Sequence, residues 1–255
     1  MKLSVIIPAF NEKNTISEVV ETVAALDLPK QIIVVDDGSD DGTTEILERL
    51  RSTVRGLNVQ FLKRNSGKGA AIHQGLTQVR GDIVIIQDAD LELDPGEYPR
   101  LIEPIVKGEA DVVYGSRFLT PVDGLSRFSL VGNKVITWLT NRLYGLRLTD
   151  QATGYKVFRA NVIKRVPLEC RGFEFCSEVT AKIARMGHEI TEVPVSYIPR
   201  PKEEGKKVSW RDGVTAVRTL LRYRRFSAPD GDGMRRREVS SEPRMRGERA
   251  GGRGL

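Results

Sequence analysis

The chain has 255 residues, 40% hydrophobic and 29% charged, enough apolar material for a core, so a wholly disordered protein is excluded. Aromatic residues are only 6%, which argues against an aromatic platform for nucleic acid. The net charge of +6 is uneven: residues 200–226 hold nine basic and three acidic residues, 228–255 hold seven Arg and five acidic residues, and 1–199 carries −2.

Bulk nucleic-acid binding would spread positive charge over the fold, so no nucleic-acid partner is expected. A local basic segment suits an anionic ligand or an anionic membrane surface, and equally a solvated helix. Cys170 and Cys176 are too few for a disulfide scaffold and lack zinc-pair spacing. With no signal-like amino terminus, the chain reads as reduced and cytoplasmic. No apolar run reaches 18 residues, so no membrane span is expected.

In chain order, LSVII (3–7) is an apolar run closed by Pro8, QIIVV (31–35) is closed by Asp36-Asp37-Gly38-Ser39, DIVIIQ (82–87) by Asp88-Ala89-Asp90, and DVVY (111–114) is a fourth. Continuous β-branched runs suit strands buried on both faces of a mostly parallel sheet. Helical patterns fall between them at 14–26, 43–52, 69–79 and 97–107. The alternation predicts an α/β fold, a twisted sheet with helices on both faces and ligands beyond the carboxyl ends of its strands. Polar residues cluster at those ends: Asn11 and Glu12, Asp36 and Asp37, Asp88 and Asp90. Further on, 129–146 and 211–225 read as amphipathic helices with interleaved basic residues, 173–186 as a helix and 189–198 as extended chain. From Ala228 onward Gly, Pro, Ser and Arg dominate and periodicity stops. The expected division is a folded domain over 1–227 and a disordered Arg/Gly-rich tail over 228–255.

Asp88-Ala89-Asp90 places two carboxylates around a small residue after a strand. That arrangement can hold Mg²⁺ or Mn²⁺ against a diphosphate, with Glu92 as a third oxygen donor. In the turn after the second strand, Ser39 or Asp41 suits a helix cap, and Asp37 suits hydrogen bonds from a ribose or base. NSGKGAA (65–71) resembles a phosphate loop, but Ile72 stands where a dinucleotide fingerprint needs its third glycine and Leu62 where a P-loop needs its first. It reads equally as a glycine-assisted turn into a helix. Arg117, Arg200, Lys206 and Lys207 are candidate phosphate partners. His73 and His188 stand in no nucleophile or zinc motif, so neither serine nor zinc hydrolysis is supported.

Taken together, VIIPAFNE (5–12), VVDDGSDDGT (34–43), NSGKGAAIHQGL (65–76) and DADLELDP (88–95) resemble a family 2 glycosyltransferase. With YGSRF (114–118), DQATGYKVF (150–158), EVPVSYIPR (192–200) and EGKK (204–207), the chain resembles the dolichol-phosphate mannosyltransferase group and the bacterial enzymes that make polyprenyl-phosphate sugars. The resemblance implies a glycosyltransferase A-type fold. It implies that Pro8, Phe10 and Glu12 line the nucleotide, that Val35 and Asp37 meet base and ribose, and that Asp88, Ala89 and Asp90 form the metal and diphosphate motif with Glu92 beside it. Arg117, Arg200 and Lys206 match basic residues around the donor and acceptor phosphates, Asp150 opens a motif near the acceptor, and Glu178 orients neighbouring basic groups. Two departures stand out. Phe10 occupies a position that is often Tyr, and carboxyl-terminal membrane spans found in some members are replaced here by a basic tail. The Q-x-x-R-W motif of processive synthases is absent, which argues against chain elongation.

The implied reaction is inverting transfer of a hexosyl group, mannose favoured, from a nucleoside diphosphate sugar (GDP-mannose first) to a polyprenyl phosphate. The expected residues in the chemistry are Asp90, Arg117 and Asp150. The enzyme is expected at the cytoplasmic face of a membrane, held by its basic amphipathic helices or by a membrane-anchoring partner. A UDP-sugar donor, a non-lipid acceptor, a nucleotidylyltransferase and a non-catalytic sugar-nucleotide binder are the alternatives; the first loop, PAFNEKN, lacks the glycine-rich basic signature of a nucleotidylyltransferase.

Overall fold

A computed structural model describes residues 1–120, 127–199 and 210–227. Their elements are β1 (Leu3–Ala9), α1 (Ile16–Ala25), β2 (Lys30–Asp36), α2 (Thr43–Thr53), β3 (Leu57–Phe61), α3 (Lys68–Leu76), β4 (Ile83–Ile86), α4 (Tyr98–Val106), β5 (Val112–Ser116), α5 (Arg127–Tyr144), β6 (Lys156–Arg159), α6 (Ala160–Ile163), α7 (Phe175–Arg185), β7 (Ile190–Pro194) and α8 (Trp210–Arg222). The predicted tail 228–255, Arg200 and Lys206 lie outside the described residues.

The strands form one sheet in the order β3-β2-β1-β4-β6-β5-β7. β1 pairs in parallel with β2 and β4, β2 with β3, and β5 with β7; β6 runs antiparallel to both its neighbours. Side chains alternate across the strands. Val5 and Ile7 of β1 join a core with Val19, Leu47, Tyr98 and Leu101, under α1, α2 and α4. Ile6 joins the opposite core with Ile72, Val179 and Ile183, under α3 and α7. Burial on both faces explains why these strands read as unbroken apolar runs. A third cluster, built on Ala181, Leu220 and Tyr223, packs α5 and α8 onto the outside of α7.

Pro8 does not close β1. It pairs with Val35 inside the ladder. Leu3 N–H donates to the β2 side, so by alternation Pro8 nitrogen faces β4, where pairing ends at Ile6 and Ile86 and no ladder N–H is required. β3 and β6 were not anticipated. β3 is an edge strand with half-buried polar residues, and β6 is four residues placed by its neighbours rather than by a pattern of its own.

The candidate donor site at the sheet edge

The parallel register of β1, β2 and β4 brings three strand ends to one edge, where the acidic residues were expected to meet. The first two loops are stitched together. Asn11, at φ +53°, donates its side-chain Nδ2 to Asp40 Oδ1 and accepts the Asp40 N–H through Oδ1, and its own N–H donates to Ser39 Oγ. Asn tolerates this left-handed conformation better than most residues. Glu12 N–H donates to Thr43 Oγ1 and Lys13 N–H to Asp41. Asp41 also accepts the Thr43 N–H at the start of α2, whose cap position is Gly42 and carries no side-chain bond, while Ser39 donates to Asp36.

Asp37, expected at the ribose or base, holds the turn that follows β3. It is buried, and its two carboxylate oxygens accept the N–H groups of Ser66 and Gly67 at 2.8 and 2.7 Å. Burial, with Asp36 adjacent, raises its pKa against those two bonds. Val35, expected at the base, has its side chain fully buried in the second core. Pro8, Phe10 and Glu12 remain half-buried at the mouth.

The turn held by Asp37 starts α3 and delivers Lys68, which forms an ion pair with Asp88. Gly67 takes φ +98°, and a Cβ on Gly67 or Gly69 would collide with the backbone carbonyls of Arg171 or Cys170. The glycines thus admit the 170–172 loop against the turn, and Ala70 N–H donates to Arg171 O at 2.9 Å. That loop is held from behind by Glu178, which accepts the N–H groups of Glu169 and Cys170 at 2.8 Å each and pairs with buried Lys182 at 2.7 Å. Glu178, expected to orient neighbouring basic groups, thus contacts Lys182 and the backbone at the start of that loop.

Asp88 is held ionised. Burial alone would raise its pKa, but Lys68, then Lys156 and Arg117, lower it. Lys68 in turn stays charged despite burial because of Asp88. Lys156 is fully buried, donates to the carbonyls of Gln151 and Thr153 at 3.0 and 2.6 Å, and lies 4.4 Å from the Tyr114 ring centroid. Burial lowers its pKa. Beyond the triplet, Asp90 Oδ1 accepts the Glu92 N–H at 3.2 Å.

At the end of β5, Arg117 donates through Nε and Nη2 to both oxygens of Asp150, at 2.6 and 2.9 Å. Asn133 donates to the same carboxylate at 2.8 Å. Asp150 is fully buried, and both its oxygens are occupied by Arg117. Burial would raise its pKa, but Arg117 and Asn133 lower it. Tyr197 stacks on the guanidinium at 5.1 Å.

Glu92 was expected as a third metal oxygen. Its side chain is engaged with Tyr197 and faces Arg117. Among the described residues, no three His, Cys, Asp or Glu side chains gather as a metal cluster. The two aspartates nevertheless fit a hard divalent cation. Their donors are all oxygens. Gly154 also leaves open the space beside Asp88 Oδ2 that a Cβ would fill. Two carboxylates suit a cation that shares its remaining ligands with a diphosphate. Lys68, Lys156, Asn133 and Tyr197 were not singled out in the sequence. A lysine between two glycines at 67–69 was a usable signal for the first; the others depend on contacts between distant segments.

The mixed seven-stranded sheet with its helices is a glycosyltransferase A-type fold, and comparison with known proteins agrees. Residues 4–167 match glycosyl transferase family 2, and the chain belongs to that family. It is 32% identical over 225 residues to a low-salt glycan biosynthesis hexosyltransferase of Haloferax volcanii, covering 86% of this chain and 53% of that protein. It is 29% identical to an undecaprenyl-phosphate mannosyltransferase of Micrococcus luteus, covering 81% and 87%. The chain thus spans about half the length of the first of these relatives and most of the second. Glucosyl-3-phosphoglycerate synthase of Mycobacterium tuberculosis, solved with Mn²⁺, UDP and phosphoglyceric acid, shares the fold at a TM-score of 0.65 and 22% identity, over 88% of this chain and 78% of that one.

Proposed function

We infer that the chain transfers a single hexosyl group, mannose favoured, from a nucleoside diphosphate sugar to a polyprenyl phosphate, with inversion. The observation that carries this reading is the Asp88-Ala89-Asp90 turn at the sheet edge, with Lys68 on one side and the Asp150-locked Arg117 near it. The likeness to the Micrococcus undecaprenyl-phosphate enzyme, most of whose length is covered, supports the acceptor and the sugar. GDP-mannose is the first donor to test.

Asp88 and Asp90 would hold Mg²⁺ or Mn²⁺, which when bound neutralises charge on a leaving diphosphate. Lys68 stands beside the same carboxylate and adds fixed positive charge at the donor phosphates. Arg117, held in one orientation by Asp150, presents its guanidinium to an anion, and its planar fork suits a phosphate. An acceptor phosphate is already ionised at neutral pH, so no general base is needed, in keeping with the absence of a histidine from this set. Holding two anionic groups in line is then the main task of the basic residues. Arg200 and Lys206 are proposed to complete the acceptor side, and Pro8, Phe10 and Glu12 to border the nucleotide.

No helix among the described residues is long and apolar enough to cross a membrane. We assign α5 to the membrane surface. Val131, Val135 and Trp138 lie exposed on one face, while Ile136, Leu139 and Leu143 pack inward. Residues 127–147 contain four basic residues and no acidic one. This combination suits an anionic leaflet, here the cytoplasmic one.

The deciding experiment is transfer from labelled GDP- and UDP-sugars to polyprenyl phosphate with Mn²⁺ or Mg²⁺, read as label entering the organic phase. GDP-mannose is expected to label lipid and Asp90→Ala to abolish the signal. Label from a UDP-sugar alone would replace the donor. Donor hydrolysis without lipid labelling would remove the lipid acceptor, and a wild-type rate for Asp90→Ala in chelator would remove the metal.

A further inference from the structure

Gln87 directly follows the apolar β4 and is fully buried. Its Oε1 accepts the hydroxyls of Tyr98 and Tyr155, each at 2.8 Å, and its Nε2 donates to the carbonyl of Asp88 at 3.0 Å. Its backbone N–H donates to Ile6 O at 2.9 Å, tying the same residue to β1. Both tyrosines are fully buried, and their rings meet edge to face at 5.9 Å. Two hydroxyls donating to one carbonyl oxygen polarise the amide and strengthen the N–H that it donates. A strand that only needed packing here would take another Ile, like its two neighbours at 85 and 86. The next carbonyl is also held from outside: Thr15 Oγ1 donates to Ala89 O at 2.8 Å.

We propose that Gln87, clamped by Tyr98 and Tyr155, is the positioning residue for the Asp88-Ala89-Asp90 turn. By gripping the Asp88 carbonyl it sets the rotation of that peptide, and with it the direction in which the two carboxylates meet a cation and its diphosphate. The proposal rests on the transferase reading of this turn. It assigns to Tyr98 of α4 and to Tyr155, just ahead of β6, a part in the candidate donor site.

The test is calorimetric affinity for UDP and GDP, each with Mn²⁺ and with chelator, alongside a thermal midpoint. For the nucleotide that the wild type binds, Gln87→Leu is expected to lower the Mn²⁺-dependent affinity about 10- to 100-fold, the usual cost of removing a group that orients metal ligands. Its affinity in chelator is expected to stay unchanged. If Gln87→Leu does not fold, Tyr155→Phe keeps the ring, removes one donor and is expected to show a smaller loss in the same Mn²⁺ arm. Unchanged Mn²⁺-dependent affinity in the folded variants overturns the proposal. Equal losses with and without metal overturn it too, because they mark a general packing defect. A wild type that binds neither nucleotide more tightly with Mn²⁺ removes instead the metal role of this turn on which the proposal rests.

Discussion

Arg117 keeps both its charge and its direction because Asp150 takes two of its donors inside the fold, leaving the guanidinium only 14% exposed. Breaking such a buried pair from one side costs about 3–5 kcal/mol, more than a surface pair is worth, because the remaining charge stays buried. Asp150→Asn is expected to destabilise the protein by about 3 kcal/mol at neutral pH. Asp150 has a folded pKa below its unfolded value of about 3.9. Its stabilising contribution is fully present above that unfolded value and is lost as pH falls through the lower folded one. The gap between wild type and variant should therefore close below about pH 4. Thermal midpoints from pH 3 to 7 check both points, and a constant gap would show that packing, not charge, is what Asp150 supplies. The motif that opens at Asp150 was legible in the sequence. Its partner was not, since Arg117 stands 33 residues away.

α3 shows how an element's fit decides the sign of a substitution. Replacing a helical glycine with alanine gains about 0.5–1 kcal/mol of conformational entropy where space allows. At Gly213 in α8 nothing lies near the added Cβ. Gly213→Ala is expected to stabilise by about that amount. At Gly69 the same methyl meets the Cys170 carbonyl, which Glu178 holds in place through the Cys170 N–H. Overpacking against fixed backbone costs about 1–3 kcal/mol, so Gly69→Ala is expected to destabilise and to weaken donor binding by shifting Lys68. Denaturant midpoints for the two variants should move in opposite directions. A stabilised Gly69→Ala would mean that the 170–172 loop yields. The element boundaries follow the apolar periods closely for the buried strands and helices. β3 and β6 escaped because an edge strand and a four-residue antiparallel strand are specified by their neighbours.

At the scale of the whole molecule, the sheet carries the candidate donor site at one edge, while α5 and α8 form an outer layer on α7. The exposed strip of Val131, Val135 and Trp138, with Lys134 beside it, is the surface proposed to meet lipid. Flotation with vesicles containing anionic lipid is expected to carry the full chain, less so as salt rises, since surface attraction falls off within about a Debye length. Trp138→Glu is expected to reduce flotation without moving the thermal midpoint, because the ring is 65% exposed. Equal flotation of the variant, or of wild type with neutral vesicles, would move the membrane contact away from this face.

By itself the sequence determined the α/β class, most of the strand and helix positions, and the acidic strand-end turns. Those follow from local periodicity and from residues adjacent in the chain. Only the tertiary structure decided which groups those turns face. Asp37 meets the Ser66–Gly67 turn, Asp88 meets Lys68, Asp150 meets Arg117, Glu92 meets Tyr197, and Gln87 meets two tyrosines from different segments. The physical reason is that burial makes an unpartnered polar group costly, so each was matched with a donor or acceptor. In these cases the sheet order and the crossing connections, not proximity along the chain, bring that partner within reach.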